Sequence, residues 1–337
     1  MSVALVLLVL VLALLLGLYF TPVARQAALR FGIVDRPDGR LKTHEAPVPY
    51  LGGVAVFLAF LMALGLVLPF NSLLLGLLLA GTLTLLVGLI DDFGVLTPLA
   101  KVAGQGVAIF VLLRSGAVIE LTEVPSELRW PLAAAWLLAV CNAFNLLDIM
   151  DGLAAGVGAI AALALGLVAL AGGELPEAAA AFALAGALAG FLVFNFNPAR
   201  IYLGDAGSLA TGITLGALAL ALHWTERSPA GFLAPLAILA VPLADTVYVT
   251  VLRARAGRPF WHGSPDHFPL RLRRAWHGRT RPAVVTCYAL AAAGAVIGVG
   301  CALWWSWQLA LWLLGGLGAI FVALLGWLAR FDMRPAP

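Results

Sequence analysis

Residues 131–172 read PLAAAWLLAVCNAFNLLDIMDGLAAGVGAIAALALGLVALAG. Two apolar runs, 131–147 and 152–172, flank a short break that holds Asp148 and Asp151. Each run approaches the roughly 20 apolar residues that a helix needs to cross the hydrocarbon core of a bilayer. Carboxylates are costly in lipid, so the pair marks a place where the chain leaves the membrane and turns back. The same pattern recurs along all 337 residues, of which 63% are hydrophobic and 11% charged. A soluble domain carries about 25% charged residues. The chain therefore reads as an all-α, polytopic integral membrane protein. The apolar runs predict eleven spans, at about 2–20, 50–69, 72–90, 102–118, 131–147, 152–172, 178–195, 207–224, 230–251, 283–304 and 309–329. No polar stretch is long enough for a separate soluble domain, so residues 1–337 are read as a single transmembrane domain.

Charge sets the expected orientation. Seventeen of the 20 basic residues fall in one set of loops, and six of the seven glutamates fall in the other. The positive-inside rule then puts the N-terminus outside and the C-terminus in the cytoplasm, as an odd number of spans requires. The cytoplasmic loops are expected at about 21–49, 91–101, 148–151, 196–206 and 252–282. The first run lacks a basic leader and carries Arg25 and Arg30 after it, the pattern of a retained helix rather than a cleaved signal. Cys141, Cys287 and Cys301 lie in apolar runs without C-x-x-C spacing and read as buried small hydrophobes.

Three polar motifs sit where apolar runs end. Asp91-Asp92 closes the third run, and Lys101 opens the next. As a plain interfacial anchor that lysine is unremarkable; beside a phosphate it is a point-charge partner. Asn142, Asn145 and Asp148 recur every three residues, on one face if the helix continues, and Asp151 extends the series. Gly204-Asp205-Ala-Gly-Ser208 puts a carboxylate at the start of the eighth run, where the helix dipole also favours a bound phosphate. Asn195 and Tyr202 lie just upstream, and the tyrosine is suited to stacking on a base. A basic loop carries Asp266, His267 and Arg271, a reading divided between lipid contact and diphosphate binding. Lys42 and His44 lie in an earlier basic loop, whose charges suit a plain cytoplasmic loop or, more sharply read, a lid over an anionic nucleotide. Converging carboxylates, basic loops and membrane grooves suit a phosphorylated lipid and a soluble anion arriving with Mg²⁺. The P-loop pattern is absent, which argues against ATP hydrolysis.

From Val34 to Arg281 the ordered motifs resemble the polyprenyl-phosphate N-acetylhexosamine-1-phosphate transferases (glycosyltransferase family 4). The motifs are Asp35-Arg36-Pro37, His44, Gly52-Gly53, Asp91-Asp92, Asn142-x-x-Asn145-x-x-Asp148-x-x-Asp151-Gly152, Gly204-Asp205-x-Gly207-Ser208 and Val241-Pro-Leu-Ala-Asp245. More distantly the chain is similar to the phospho-N-acetylmuramoyl-pentapeptide translocases. The resemblance implies that a UDP-sugar, an N-acetylhexosamine donor, and undecaprenyl phosphate give undecaprenyl-diphosphate-sugar and UMP. It implies Mg²⁺, with Mn²⁺ as a substitute, held by Asp205 and Asn145. Asp91 and Asp92 would orient or deprotonate the lipid phosphate, and Lys101 would contact phosphate. Lys42, Asp148, Asp151, Asn195 and Tyr202 would shape the nucleotide pocket, and His267 and Arg271 the sugar and diphosphate site. The implied setting is the bacterial cytoplasmic (inner) membrane, with the site facing the cytoplasm, no nucleic-acid partner, and a homodimer as an assembly the family allows. The last loop departs from the family pattern: one histidine remains, and Leu270 stands where another is usual. That loop is where the resemblance places recognition of the sugar. Two other readings fit the residues less well. An intramembrane prenyltransferase would show two N/D-x-x-x-D boxes. A transporter would carry its key charges at mid-span, where only Asp245 is expected.

Overall fold

The computed structural model describes residues 2–35, 47–67, 71–118, 124–257 and 266–331. Lys42 and His44 lie outside them. Helix dominates, and the chain forms two compact units, Met1–Leu222 and His223–Pro337.

Among the described residues, the first unit holds eight helices: α1 (Val3–Phe31), α2 (Gly52–Val67), α3 (Ser72–Asp92), α4 (Pro98–Arg114), α5 (Ser126–Leu147), α6 (Leu153–Gly172), α7 (Leu175–Asn195) and α8 (Gly204–Ala221). A two-residue antiparallel ribbon pairs β1 (Val34–Asp35) with β2 (Val48–Pro49). Starts follow local chemistry. Asn71 accepts the Leu74 amide at 2.8 Å to cap α3, and Thr97 caps α4 just before Pro98. α1 runs past the expected end of its span, because residues 21–31 are mostly good helix formers. Gly32 stops it with φ 70°.

The second unit opens with a 3₁₀ turn (Pro229–Leu233) and continues through α9 (Ala234–Ile238), α10 (Ala240–Arg255), α11 (Phe268–Ala275), α12 (Thr280–Leu303) and α13 (Trp307–Leu328). The expected ninth span, 230–251, is two pieces bent by 66°. Pro242 supplies the cause: it has no N–H for the Ile238 carbonyl, and its ring crowds that carbonyl.

Helices therefore occupy all eleven expected places. Among the described residues, seven are long and apolar enough to cross a membrane, eight if the bent pair counts as one span. α2, at 16 residues, is an additional shorter apolar helix. The chain is a multi-pass membrane protein by these helices.

Small residues bring the helices of the first unit together. A Cβ on Gly186 or Gly190 of α7 would strike the α1 backbone at Leu10 and Leu14. Gly53 at the start of α2 faces the backbone of Gly207 in α8 with no room for a side chain between them, and Gly88 of α3 meets the Asp205 backbone in the same way. The Gly53 amide also donates to the Leu203 carbonyl at 2.8 Å. These contacts fix the start of α8 against two other helices. Gly53→Ala is expected to destabilise the protein by about 1–3 kcal/mol through backbone overpacking. Gly315→Ala, on a helix face with open space around it, is expected to be neutral or slightly stabilising. Thermal unfolding of both variants in one detergent checks the contrast.

Candidate active site

α3 ends on Asp91 and Asp92 where α8 begins. Asp92 accepts the Asp205 amide at 2.8 Å through Oδ1 and the Ala206 amide at 3.2 Å through Oδ2. A helix start leaves such amides without partners of its own, so Asp92 caps α8 from another helix. Gly204 makes the approach possible. Its φ is 74°, and a Cβ there would press on the Asp92 carboxylate. The sequence suggested a bound phosphate at this helix start, and here these two amides hold an anion of the protein itself.

Beside this cap lies a second polar knot. Lys101, in the first turn of α4, points its Nζ at Asp91 Oδ2 (2.6 Å), Asp205 Oδ2 (2.7 Å) and Asn145 Oδ1 (2.9 Å). An ammonium has three donors, and all three are used. The Asn145 amide nitrogen turns the other way, to Asp205 Oδ1 (2.8 Å) and Ser208 Oγ (3.0 Å). One ammonium thus links α3, α5 and α8 from α4.

Asn142 belongs to a different pairing. Its amide is joined reciprocally to Gln105, with contacts of 2.9 and 3.3 Å. Sequence reasoning passed over Gln105. Its signal was a lone amide in an apolar run, four residues after Lys101 and therefore on the same face.

α5 stops at Leu147, so the expected stripe does not run on as helix. Asp148 ends α5, and Gly152 (φ 79°) begins the turn into α6. Asn195 clamps this turn: its Oδ1 accepts the Gly152 amide at 3.0 Å, and its Nδ2 donates to the Ile201 carbonyl at 2.9 Å. Asp151 Oδ2 accepts from Asn197 Nδ2 (2.8 Å) and the Ala199 amide (3.0 Å). Both side chains tie the α5–α6 turn to the α7–α8 turn. Tyr202 is held by its backbone, with its amide on the Pro49 carbonyl at 2.7 Å and its carbonyl taking the Gly52 amide at 3.0 Å.

The turns are electrostatically crowded. Desolvation holds the Asp148 carboxyl well above its usual range, and the charges of Asp205, Asp92 and Asp151 add to that; a hydrogen bond from the Gly204 amide acts in the opposite sense. Desolvation, with Asp151, Asp35 and Asp148 nearby, pushes the Tyr202 phenol up to about 12. It remains a donor at neutral pH.

Mg²⁺ is the ion the resemblance implies, and the donor set can be tested against it. Among the described residues no group of three or more His, Cys, Asp and Glu side chains gathers as a metal site. What converges on the Lys101 ammonium is two carboxylates and one amide oxygen. That oxygen-only set suits Mg²⁺, which keeps several waters and takes further oxygens from substrate phosphates. The residues fit the ion.

In the second unit, Asp245 is wholly buried. Its Oδ2 lies 2.7 Å from His267 Nδ1, and its Oδ1 accepts the Phe268 amide at 2.9 Å, so it pins the start of α11. Arg271 is buried too. It donates to Asp266 (2.7 Å) and to the Leu328 and Phe331 carbonyls at the end of α13 (3.2 and 2.6 Å). His267 and Arg271 thus anchor the basic loop to its own unit.

Residues 74–223 match glycosyl transferase family 4. The chain is 34% identical over 305 residues to a decaprenyl-phosphate N-acetylglucosaminephosphotransferase of Mycolicibacterium smegmatis, covering 78% of this chain and 74% of that protein. It is 33% identical over 308 residues to the protein of the same description from Mycobacterium tuberculosis, covering 79% and 76%. It is also 39% identical over 214 residues to a phospho-N-acetylmuramoyl-pentapeptide-transferase of Moorella thermoacetica, covering 57% and 67%.

The crowding of Asp148 has a measurable sign. A carboxyl held above its ordinary value of 3.8 favours the folded state while protonated. Its contribution is complete below that value and is lost as the pH rises through the raised one. Asp148→Asn escapes this loss. At pH 8 the variant is expected to unfold a few degrees above the unaltered protein, the displacement that about 1 kcal/mol of stability produces in a large domain. The gap should close toward pH 4, as thermal unfolding at the two pH values will test.

Proposed function

The chain belongs to glycosyl transferase family 4, and from that premise we propose that it transfers a sugar-1-phosphate from a UDP-sugar to undecaprenyl phosphate. The products are undecaprenyl-diphosphate-sugar and UMP. A phosphate oxygen of the lipid attacks the β-phosphorus of the donor, the bond from that phosphorus to the bridging oxygen breaks, and UMP leaves. The bond between sugar and phosphate is untouched. The reaction begins a cell-envelope glycan, with an N-acetylhexosamine as the sugar.

One observation carries this reading: a lysine ammonium enclosed by Asp91, Asp205 and Asn145, beside a helix start capped by Asp92. Such a site is built to hold cations against anions, and phosphoryl transfer is mostly positioning and charge neutralisation. Asp205 and Asn145 would hold Mg²⁺, which when bound neutralises the donor diphosphate. Asp91 is placed to orient the lipid phosphate or take its proton. Asp92, with both oxygens on backbone amides, is better suited to positioning the α8 start. The α5–α6 and α7–α8 turns, with Asp148, Asp151 and Tyr202, suit the uridine, and Asn195 gives them their shape. The resemblance gives His267 and Arg271 a part in sugar and diphosphate recognition, and their buried contacts hold the start of α11 for it. Charge distribution supports a cytoplasmic site in the bacterial inner membrane.

The test is UMP release by the purified protein in detergent, with undecaprenyl phosphate, Mg²⁺ and a panel of UDP-sugars. Release is expected with one sugar and only with both lipid and Mg²⁺. Asp205→Asn should bring release to background, and Asp92→Asn should lower it by about 10²-fold or more through the loss of positioning. Transport of a UDP-sugar into vesicles without UMP release would replace the transferase with a transporter.

A further inference from the structure

The position of Lys101 says more than that it sits near a phosphate site. Its ammonium stands where Asp91, Asp205 and Asn145 converge, at 2.6, 2.7 and 2.9 Å. Those three oxygens are the donor set that fits a divalent ion, so lysine and ion cannot both use it. We infer that the Lys101 ammonium is a displaceable occupant of the cation seat, closing it in the resting protein and leaving it to meet phosphate once a divalent ion enters. The inference rests on the transferase reading above and adds a binding order to it.

Three features support the exchange. First, two of the three donors have supports besides Lys101: Asn145 Nδ2 bonds Asp205 Oδ1 and Ser208, and Asp205 is fixed by its own amide on Asp92. Second, Lys101 is in the first turn of α4, near a helix end, and its long flexible stem can re-aim without moving backbone. Third, a seated divalent ion makes the site less negative by two charges. Asp91, Asp92, Asp205 and Lys101, all ionised, sum to two negative charges (−3 + 1 = −2). With the ion seated and Lys101 still adjacent, the same group sums to zero (−3 + 1 + 2 = 0). The resting site therefore repels phosphate more strongly than the loaded one. No bond is made or broken, and no proton moves in the exchange.

The chain contains two lysines, Lys42 and Lys101, so the exchange can be read directly. Amine-reactive footprinting by mass spectrometry is done on the whole protein in detergent, with and without saturating Mg²⁺ and with no substrate. Labelling of Lys101 relative to Lys42 is expected to rise several-fold with Mg²⁺. Unchanged or reduced labelling, with Mg²⁺ shown to bind, overturns the inference. Mn²⁺ binding followed by electron paramagnetic resonance is the second test. Lys101→Met is expected to bind Mn²⁺ about 10-fold more tightly than the unaltered protein or better, while its UMP release falls. Equal, weaker or undetectable binding by a folded Lys101→Met protein overturns the inference, and if that variant does not fold, the footprint decides. The transferase reading fails separately: UMP release with no change in the footprint removes the exchange alone. An Mg²⁺-dependent footprint with no UMP release from any donor removes the transfer alone.

Discussion

A charge kept beside apolar helices has to be neutralised locally, and the Lys101 ammonium does that for Asp91 and Asp205. An unpaired carboxylate at such a place carries a large desolvation cost. Asp91, Asp205 and Asn145 come from three helices, and one ammonium from a fourth satisfies them together. The arrangement is at once a fastening and a site. Its cohesion holds the helix ends in register, and the same oxygens are of the kind that suit a divalent ion.

Asp92 and the small residues supply the precision. A carboxylate can cap a helix from outside only if the two helices approach closely, which Gly88 and Gly204 permit. Gly53 and Gly207 do the same on the other side of α8. Without a hydrophobic force between helices in lipid, such backbone contacts and interhelical hydrogen bonds have to give the packing its specificity. Asp148 shows the opposing cost. Burial first, and then the like charges around it, favour its neutral form, the kind of local destabilisation that active sites carry.

The second unit applies the same physics to a different end. Asp245 is buried, and it is satisfied by His267 and by the first amide of α11. Arg271 closes the carbonyls at the end of α13. The C-terminal side of the basic loop is anchored by these buried polar pairs. Such pairs favour a single conformation.

Much of this was legible in the sequence. Apolar runs located the helices, because a helix crossing lipid must be apolar for about 20 residues whatever its neighbours. The carboxylate motifs at the ends of those runs picked out Asp91, Asp92, Asn145, Asp148, Asp151 and Asp205, since charged groups have few other places to lie. The break in the ninth run was missed: the run reads as one span, and sequence reasoning passed over Pro242 within it. What the residues paired with was not legible. Lys101 and Asp205 are 104 positions apart, and Asp92 and Ala206 are 114 apart. Nothing local distinguished Asp92 as a helix cap from Asp91 as a lysine partner, or Asn195 as a turn clamp from a nucleotide contact. The sequence determined which groups leave the lipid and roughly where. Only the tertiary structure decided which of them meet, because hydrogen bonds act over about 3 Å and only helix packing brings distant positions that close.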